Sequence, residues 1–335
     1  MQLQQIDTYP EALLSCEAKD LHTLFPQPTL LHLQGKNPQP LFISVLLHGN
    51  ETTGFLAIQR LLNQYALQKL PRSLSVFFGN THAAASGLRR LDSQPDFNRI
   101  WPGTETSPCA ETKMASQIVD IMREKKVFAS IDIHNNTGLN PHYACINKLD
   151  NRYLHLARLF GRLVVYFLRP LGVQSAAFAH LCPAVTLECG RPGQIHGVDH
   201  AYTYLKDCIH LTELVGLPAH IQDLDLFHTT AQVKIKADSS FSFSDQNSEL
   251  FFDTEIERMN FSEISAGTCF GTVHSDNTMP LSAIDEHGID VTEQFFKIEQ
   301  QQLQIKRNTM PSMLTLDERV IRQDCLCYLM ERIHL

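Results

Sequence analysis

Between residues 41 and 216 the chain alternates short, unbroken apolar runs with longer amphipathic stretches, and few architectures accept that pattern. LFISVLL (41–47) is apolar at nearly every position, as a strand buried on both faces requires. The stretch ETTGFLAIQRLLNQYALQ that follows spaces Leu56, Ile58, Leu61, Leu62 and Tyr65 at helical intervals. SLSVFF (73–78) predicts a second strand and VFASIDI (127–133) a third. Between them SPCAETKMASQIVDIMREKK (107–126) predicts a helix, with Ser107 and Pro108 as its cap and first position. A helix over 151–162, strands at LVVYFL (163–168) and AVTLE (184–188), and a helix over 198–215 continue the alternation. Such a series implies a three-layer α/β/α domain, with a mostly parallel sheet covered by helices on both faces.

After Pro218 the texture changes. AQVKIKA (231–237), FSFSD (241–245) and FKIEQQQLQIKR (296–307) alternate polar and apolar residues. Turn residues separate them at Ala266-Gly267, Ser275-Asp276-Asn277 and Glu286-His287-Gly288. The expected organisation is an α/β domain over 1–218 and a smaller, mainly β domain over 219–335. A chain of 335 residues with 43% hydrophobic and 19% charged residues has the material for two unequal cores. A net charge of −8 with no cluster of Lys and Arg argues against nucleic acid as a partner. No apolar run is long enough to span a bilayer, so no membrane association is expected. The N-terminal residues lack the basic-then-apolar pattern of a secretory signal. Nine cysteines, an odd number without framework spacing, read as reduced thiols in a cytoplasm. Cys325 and Cys327, alternating with apolar residues, read as core packing on a strand.

Ligands of an open α/β sheet bind at the C-terminal ends of its strands. Four polar segments fall there: His48-Gly49-Asn50-Glu51, Asp96-Phe97-Asn98-Arg99, Asp132-Ile133-His134-Asn135-Asn136-Thr137-Gly138 and Leu187-Glu188-Cys189-Gly190. Two His and one Glu suffice to hold a catalytic zinc with a position left open. His48 and Glu51, three apart at a strand-to-helix turn, can converge on one point, and His134 would join them from a neighbouring strand end. Glu188 can serve as base and then acid if it stands near the metal without binding it. Arg99, and either Arg89 or Arg90, supply positive charge for a carboxylate or an oxyanion. Taken singly, each residue has an ordinary explanation: a loop histidine, a strand-end carboxylate, an arginine holding a loop. Their joint occurrence, each at a strand end, carries the inference. A cysteine nucleophile at Cys145, Cys182 or Cys189 is the weaker reading: Cys145 and Cys182 have no identifiable base, Cys189 follows Glu188 on a strand and should point to the other face, and buried packing explains all three.

Together these segments resemble the succinylglutamate desuccinylase and aspartoacylase family, a branch of the zinc carboxypeptidase fold. The likeness runs through His48-Gly49-Asn50-Glu51-Thr52, Gly79-Asn80, Asp96-Phe97-Asn98-Arg99, Asp132-Ile133-His134-Asn135-Asn136-Thr137 and Leu187-Glu188-Cys189-Gly190. It implies one Zn2+ per chain on His48, Glu51 and His134, with Glu188 as general base and acid. It implies that Asn98 and Arg99 bind the substrate carboxylate and that an arginine before Asp96 polarises the scissile carbonyl, Arg90 by register. Asn260-Phe261-Ser262-Glu263 with Gly267-Thr268 resembles the start of the family's C-terminal β domain, which in the family restricts the site to small acyl-amino acids. Two features depart from the pattern: the longer Ser93-Gln94-Pro95 stretch after Arg89-Arg90-Leu91-Asp92, and the tail over 308–335. The reading is a zinc-dependent amide hydrolase acting on a small acidic N-acyl amino acid such as N-succinylglutamate. A homo-oligomer is compatible with it. Its rivals are a peptide-trimming carboxypeptidase of the same fold and a non-catalytic homologue that keeps the metal.

Overall fold

A strand that is apolar at every position is stable only where both faces of its sheet are covered, and the computed structural model of the protein supplies that cover. It describes residues 2–214, 216, 224–274 and 278–333. The expected domain boundary at 218/219, the end of the predicted helix at Val215 and the predicted turn Ser275-Asp276-Asn277 lie outside the described residues. The chain divides into two compact units.

The first unit spans residues 1–135, 142–166 and 170–225. It contains strands β1 (Gln4–Ile6), β2 (Thr29–Leu33), β3 (Gly35–Val45), β4 (Leu70–Phe78), β5 (Ala129–His134), β6 (Tyr143–Ile146), β7 (Leu163–Tyr166) and β8 (Ala184–Glu188). They lie in the order β1-β2-β4-β3-β5-β8-β6-β7. Parallel pairing runs through β4, β3, β5 and β8 at the centre, and antiparallel pairs join β2 to β4 and β6 to β8. Every residue of β5 and β8 is buried, as is β3 from Pro40 on. Successive side chains point to opposite faces, so both faces are covered.

Helices α1 (Leu21–Leu24), α2 (Thr53–Gln64), α3 (Thr81–Ala85), α4 (Ala110–Glu124), α5 (Asn151–Arg158), α6 (Gln174–Phe178) and α7 (Ile195–His210) provide the cover. α2 packs beside α7. Its first turn lies so close to the sheet that a Cβ on Gly54 would come within 2.9 Å of Ile133 Cβ and Val45 Cγ1. α6 lies on the opposite face, where Gln174 Nε2 donates to Ser130 Oγ at 2.6 Å and Thr186 Oγ1 donates to Ser175 Oγ at 3.0 Å. The α4 cap differs from the expected Ser107 and Pro108. Cys109 is the N-cap, its extended backbone placing its N–H on Thr112 Oγ1 at 2.9 Å. The reciprocal bond between cap and third helical residue fixes where a helix starts, and it outweighs the proline signal.

The second unit spans residues 136–141, 167–169 and 226–335. Strands β9 (Asp225–Ile235), β10 (Phe241–Ser242), β11 (Leu250–Phe251), β12 (Cys269–Val273), β13 (Leu281–Asp285), β14 (Phe296–Glu299), β15 (Gln302–Ile305), β16 (Met310–Ser312) and β17 (Cys327–Arg332) dominate it, with short helices α8 (Thr292–Phe295) and α9 (Glu318–Gln323). β9 pairs antiparallel with both β13 and β17, and β16 adds to β17. β10-β11-β12-β15-β14 form a second, small sheet. Val233, Leu250, Phe252, Leu281, Leu303, Leu326 and Leu329 are buried in the core they share. The protein is thus a mixed α/β structure with a large, mostly parallel sheet and a second small one. Among the described residues no helix is long and apolar enough to cross a membrane.

Candidate functional site

The site forms where β3, β5 and β8 end. Leu46, one residue past β3, adopts φ 56, a left-handed conformation that a leucine rarely takes. Such a residue costs on the order of 1–3 kcal/mol and persists only when its surroundings impose it. Here Asn80 N–H donates to Leu46 O at 2.7 Å, and the side chain is fully buried. The turn carries His48 and Glu51 over the end of the sheet. Gly49 must be small: a Cβ there would lie 2.2 Å from Ala84 N.

His48, Glu51 and His134 come together, each buried, with ligating atoms that all lie within 4.8 Å of one another. His48 Nδ1 is 2.9 Å from Glu51 Oε1, and His134 Nδ1 is 2.7 Å from Glu51 Oε2. The far nitrogen of each ring meets a second carboxylate. His48 Nε2 is 2.9 Å from Asp96 Oδ1, and His134 Nε2 is 2.7 Å from Asp132 Oδ2. This is the outer-shell pattern that fixes ring and tautomer in metal-binding histidines. With both Nε2 atoms donating to aspartates, both Nδ1 atoms are aimed at one point beside Glu51. The donor set therefore suits a divalent ion of the zinc type.

The aspartates are anchored in turn. Arg89 donates to Asp96 Oδ2 from Nε at 3.2 Å and Nη2 at 2.9 Å, and Asn98 N–H donates to Asp96 Oδ1 at 2.7 Å. Ser44 Oγ donates to Asp132 Oδ1 at 2.7 Å. Burial alone would raise the Glu51 carboxyl, but His48 and His134 hold it well below the usual carboxylate range. Burial would also raise Asp96, and Arg89, followed by His48, more than reverses that. Burial would lower His134, yet Asp132 and Glu51 hold it well above the ordinary histidine value.

Glu188 ends β8, buried, with its Cα opposite His134 on one side and Tyr143 on the other. Cross-strand partners share a face, so Glu188 and His134 project to the same side of the sheet. Asn98 accepts from Gln174 N–H at 2.9 Å through Oδ1, which turns its amide nitrogen to within 3.2 Å of His134 Nε2. Arg99 donates from Nη1 to the Asn98 carbonyl at 2.8 Å. Arg90 does not join this cluster: its Nη1 donates to Gln94 O at 2.9 Å within its own loop. Arg89 reaches it instead, 3.7 Å from Glu51 Oε1 through Nη1, in a loop pinned by Gly49 N–H donating to Arg89 O at 3.0 Å.

Sequence reasoning gave no role to Asp132, Asp96 or Ser44. The signals were present: Asp132 and His134 are two apart on one strand and so share a face, and Ser44 is the polar residue in an otherwise apolar run. Cys145, Cys182 and Cys189 are buried, and desolvation pushes each thiol up, so none is a poised nucleophile.

At the strand ends of a mostly parallel α/β sheet, two histidines and a glutamate thus form a group that could hold a metal ion. Residues 38–204 match the Succinylglutamate desuccinylase/Aspartoacylase catalytic domain, and the chain belongs to that family. The family and fold support a desuccinylase/aspartoacylase-type deacylase. No curated protein sequence matches the chain. Among solved structures, succinylglutamate desuccinylase from Chromobacterium violaceum is similar at 16% identity and a TM-score of 0.59, with 89% of this chain and 86% of that chain covered. The Vibrio parahaemolyticus desuccinylase is similar at 15% identity and a TM-score of 0.59, covering 96% and 95%. Murine aminoacylase 3 is similar at 15% identity and a TM-score of 0.57, covering 89% and 96%. At these identities the likeness establishes the fold.

Proposed function

We propose that the protein is a zinc-dependent deacylase that hydrolyses the amide of an acidic N-acyl amino acid, N-succinylglutamate or a close analogue. The observation that carries this is the orientation of the two histidines, each with Nε2 on an aspartate and Nδ1 turned to Glu51. His48, Glu51 and His134 would hold the ion. Bound there, zinc supplies Lewis acidity, lowering the pKa of water toward about 7 and polarising a carbonyl.

The chain's own residues do the rest. Glu188 accepts the proton of the attacking water and returns it to the departing amine, a transfer that a positioned carboxylate accelerates by about 10²–10⁴-fold. Asn98 and Arg99 take the substrate carboxylate, the amide nitrogen of Asn98 being oriented by the Gln174 N–H. Of the neighbouring arginines, Arg89 stabilises charge on the acyl oxygen, a role supported by its approach to Glu51, and Arg90 braces the loop. The nine free cysteines suit a reducing compartment such as the cytoplasm.

The test is a panel of N-acyl amino acids and C-terminal peptides assayed on zinc-loaded protein. Turnover of N-succinylglutamate or a related acidic substrate is expected. Cleavage of peptides alone would replace this reading with a carboxypeptidase, and metal binding without any turnover would replace it with a non-catalytic homologue.

A further inference from the structure

Ser44 interrupts an apolar strand, and it is fully buried. Parallel register sets it opposite Asp132, which is also fully buried. Its hydroxyl donates to Asp132 Oδ1 at 2.7 Å, while the other carboxylate oxygen, Oδ2, lies 2.7 Å from His134 Nε2. A serine hydroxyl has a single proton to give, and here it is spent on the carboxylate.

The terminal torsion of an aspartate is broad, so one contact does not fix the plane of its carboxylate. A second donor does. Asp96 obtains its anchors from the Arg89 fork and the Asn98 N–H at the rim of the cluster. Asp132 lies deeper, where a cation would need further partners to offset its burial, and a neutral hydroxyl holds it. The two histidines thus lean on carboxylates anchored by chemically different donors.

We propose that Ser44 is a positioning residue for the metal centre: through Asp132 it fixes the ring of His134 with Nδ1 directed at the point shared with His48 and Glu51. This rests on the zinc reading given above. The competing account is a buried serine that only satisfies its own hydroxyl. That account predicts an effect on folding stability and none on metal affinity.

The experiment is titration of Zn2+ against a chromophoric chelator with the full chain, alongside thermal unfolding of each metal-free form. Wild type is expected to bind one Zn2+. Ser44→Ala is expected to bind it about tenfold more weakly, at the low end of the roughly 10–100-fold effects seen for outer-shell partners. Asp132→Asn is expected to lose more. With Oδ1 still held by Ser44, its amide would present N–H to His134 Nε2, forcing the ring proton onto Nδ1, the atom needed for ligation. Wild-type zinc affinity in Ser44→Ala, whatever its unfolding temperature, would overturn the proposal. If that variant does not fold, wild-type affinity in Asp132→Asn overturns it equally. A wild-type chain that binds no Zn2+ would instead reject the metal reading beneath it.

Discussion

Replacing Gly54 by alanine sets two effects of known sign against each other at the base of the site. Within a helix, Gly→Ala is favourable by about 1 kcal/mol, from reduced backbone entropy in the unfolded chain. Gly54 lies in the first turn of α2, and its φ is not in the left-handed region, so no backbone strain opposes the change. The added Cβ, however, would stand 2.9 Å from Ile133 Cβ and Val45 Cγ1 and 3.1 Å from Ile133 Cγ2, against 3.4–4 Å for ordinary contact. Ile133 and Val45 belong to the two central strands and are β-branched, so neither can swing aside cheaply. The helix must lift by roughly half an ångström, and overpacking of this kind costs about 1–3 kcal/mol. The clash therefore outweighs the propensity gain, and net destabilisation of about 1 kcal/mol is expected, read as a Tm lower by about 1–2 °C for a chain of 335 residues. Glu51 and His48 sit on the turn that feeds α2, so zinc affinity should fall as well. The assay is thermal unfolding of metal-free protein with a zinc titration beside it. A Gly54→Ala protein that is more stable than wild type and binds zinc equally well would refute the close packing of α2 on the sheet.

Two further outcomes follow from the site and its surroundings. Glu188→Gln should keep stoichiometric zinc while hydrolysis falls by about 10²–10⁴-fold; undiminished turnover would remove Glu188 from the proton path. Desolvation, then Lys125, pushes His32 down to about 4, so the unfolded chain takes up that proton first. Its contribution to stability is present above pH about 6.5 and is lost as pH falls toward 4. Urea unfolding midpoints should accordingly show wild type losing more stability than His32→Gln across that window, and parallel curves would contradict the assignment.

The central strands were legible because each is nearly pure apolar sequence, and AVTLE became β8 with the bounds the run implies. The grouping of His48, Glu51 and His134 was legible for a related reason: polar residues directly after such runs stand at strand ends. Short elements were not. β6 has four residues and β1 three, too few to show a period, and their pairing comes from the sheet rather than from local preference. Neighbouring arginines posed a similar limit. Arg89 and Arg90 are equivalent in the sequence, and what separates them is the Asp96 carboxylate and the Gly49 N–H, which arrive from other segments. Ser44 was hidden inside its strand, since a serine there reads as tolerated until its partner is known.

The account stands on the metal. Elemental analysis of purified protein, followed by chelation and an acyl-amino-acid assay with and without added Zn2+, tests it most directly. One zinc per chain, activity lost on chelation and restored by Zn2+, and no zinc retained by Glu51→Ala are the predicted results. Full hydrolytic activity in protein shown to be metal-free would contradict the claim that His48, Glu51 and His134 form a catalytic metal centre.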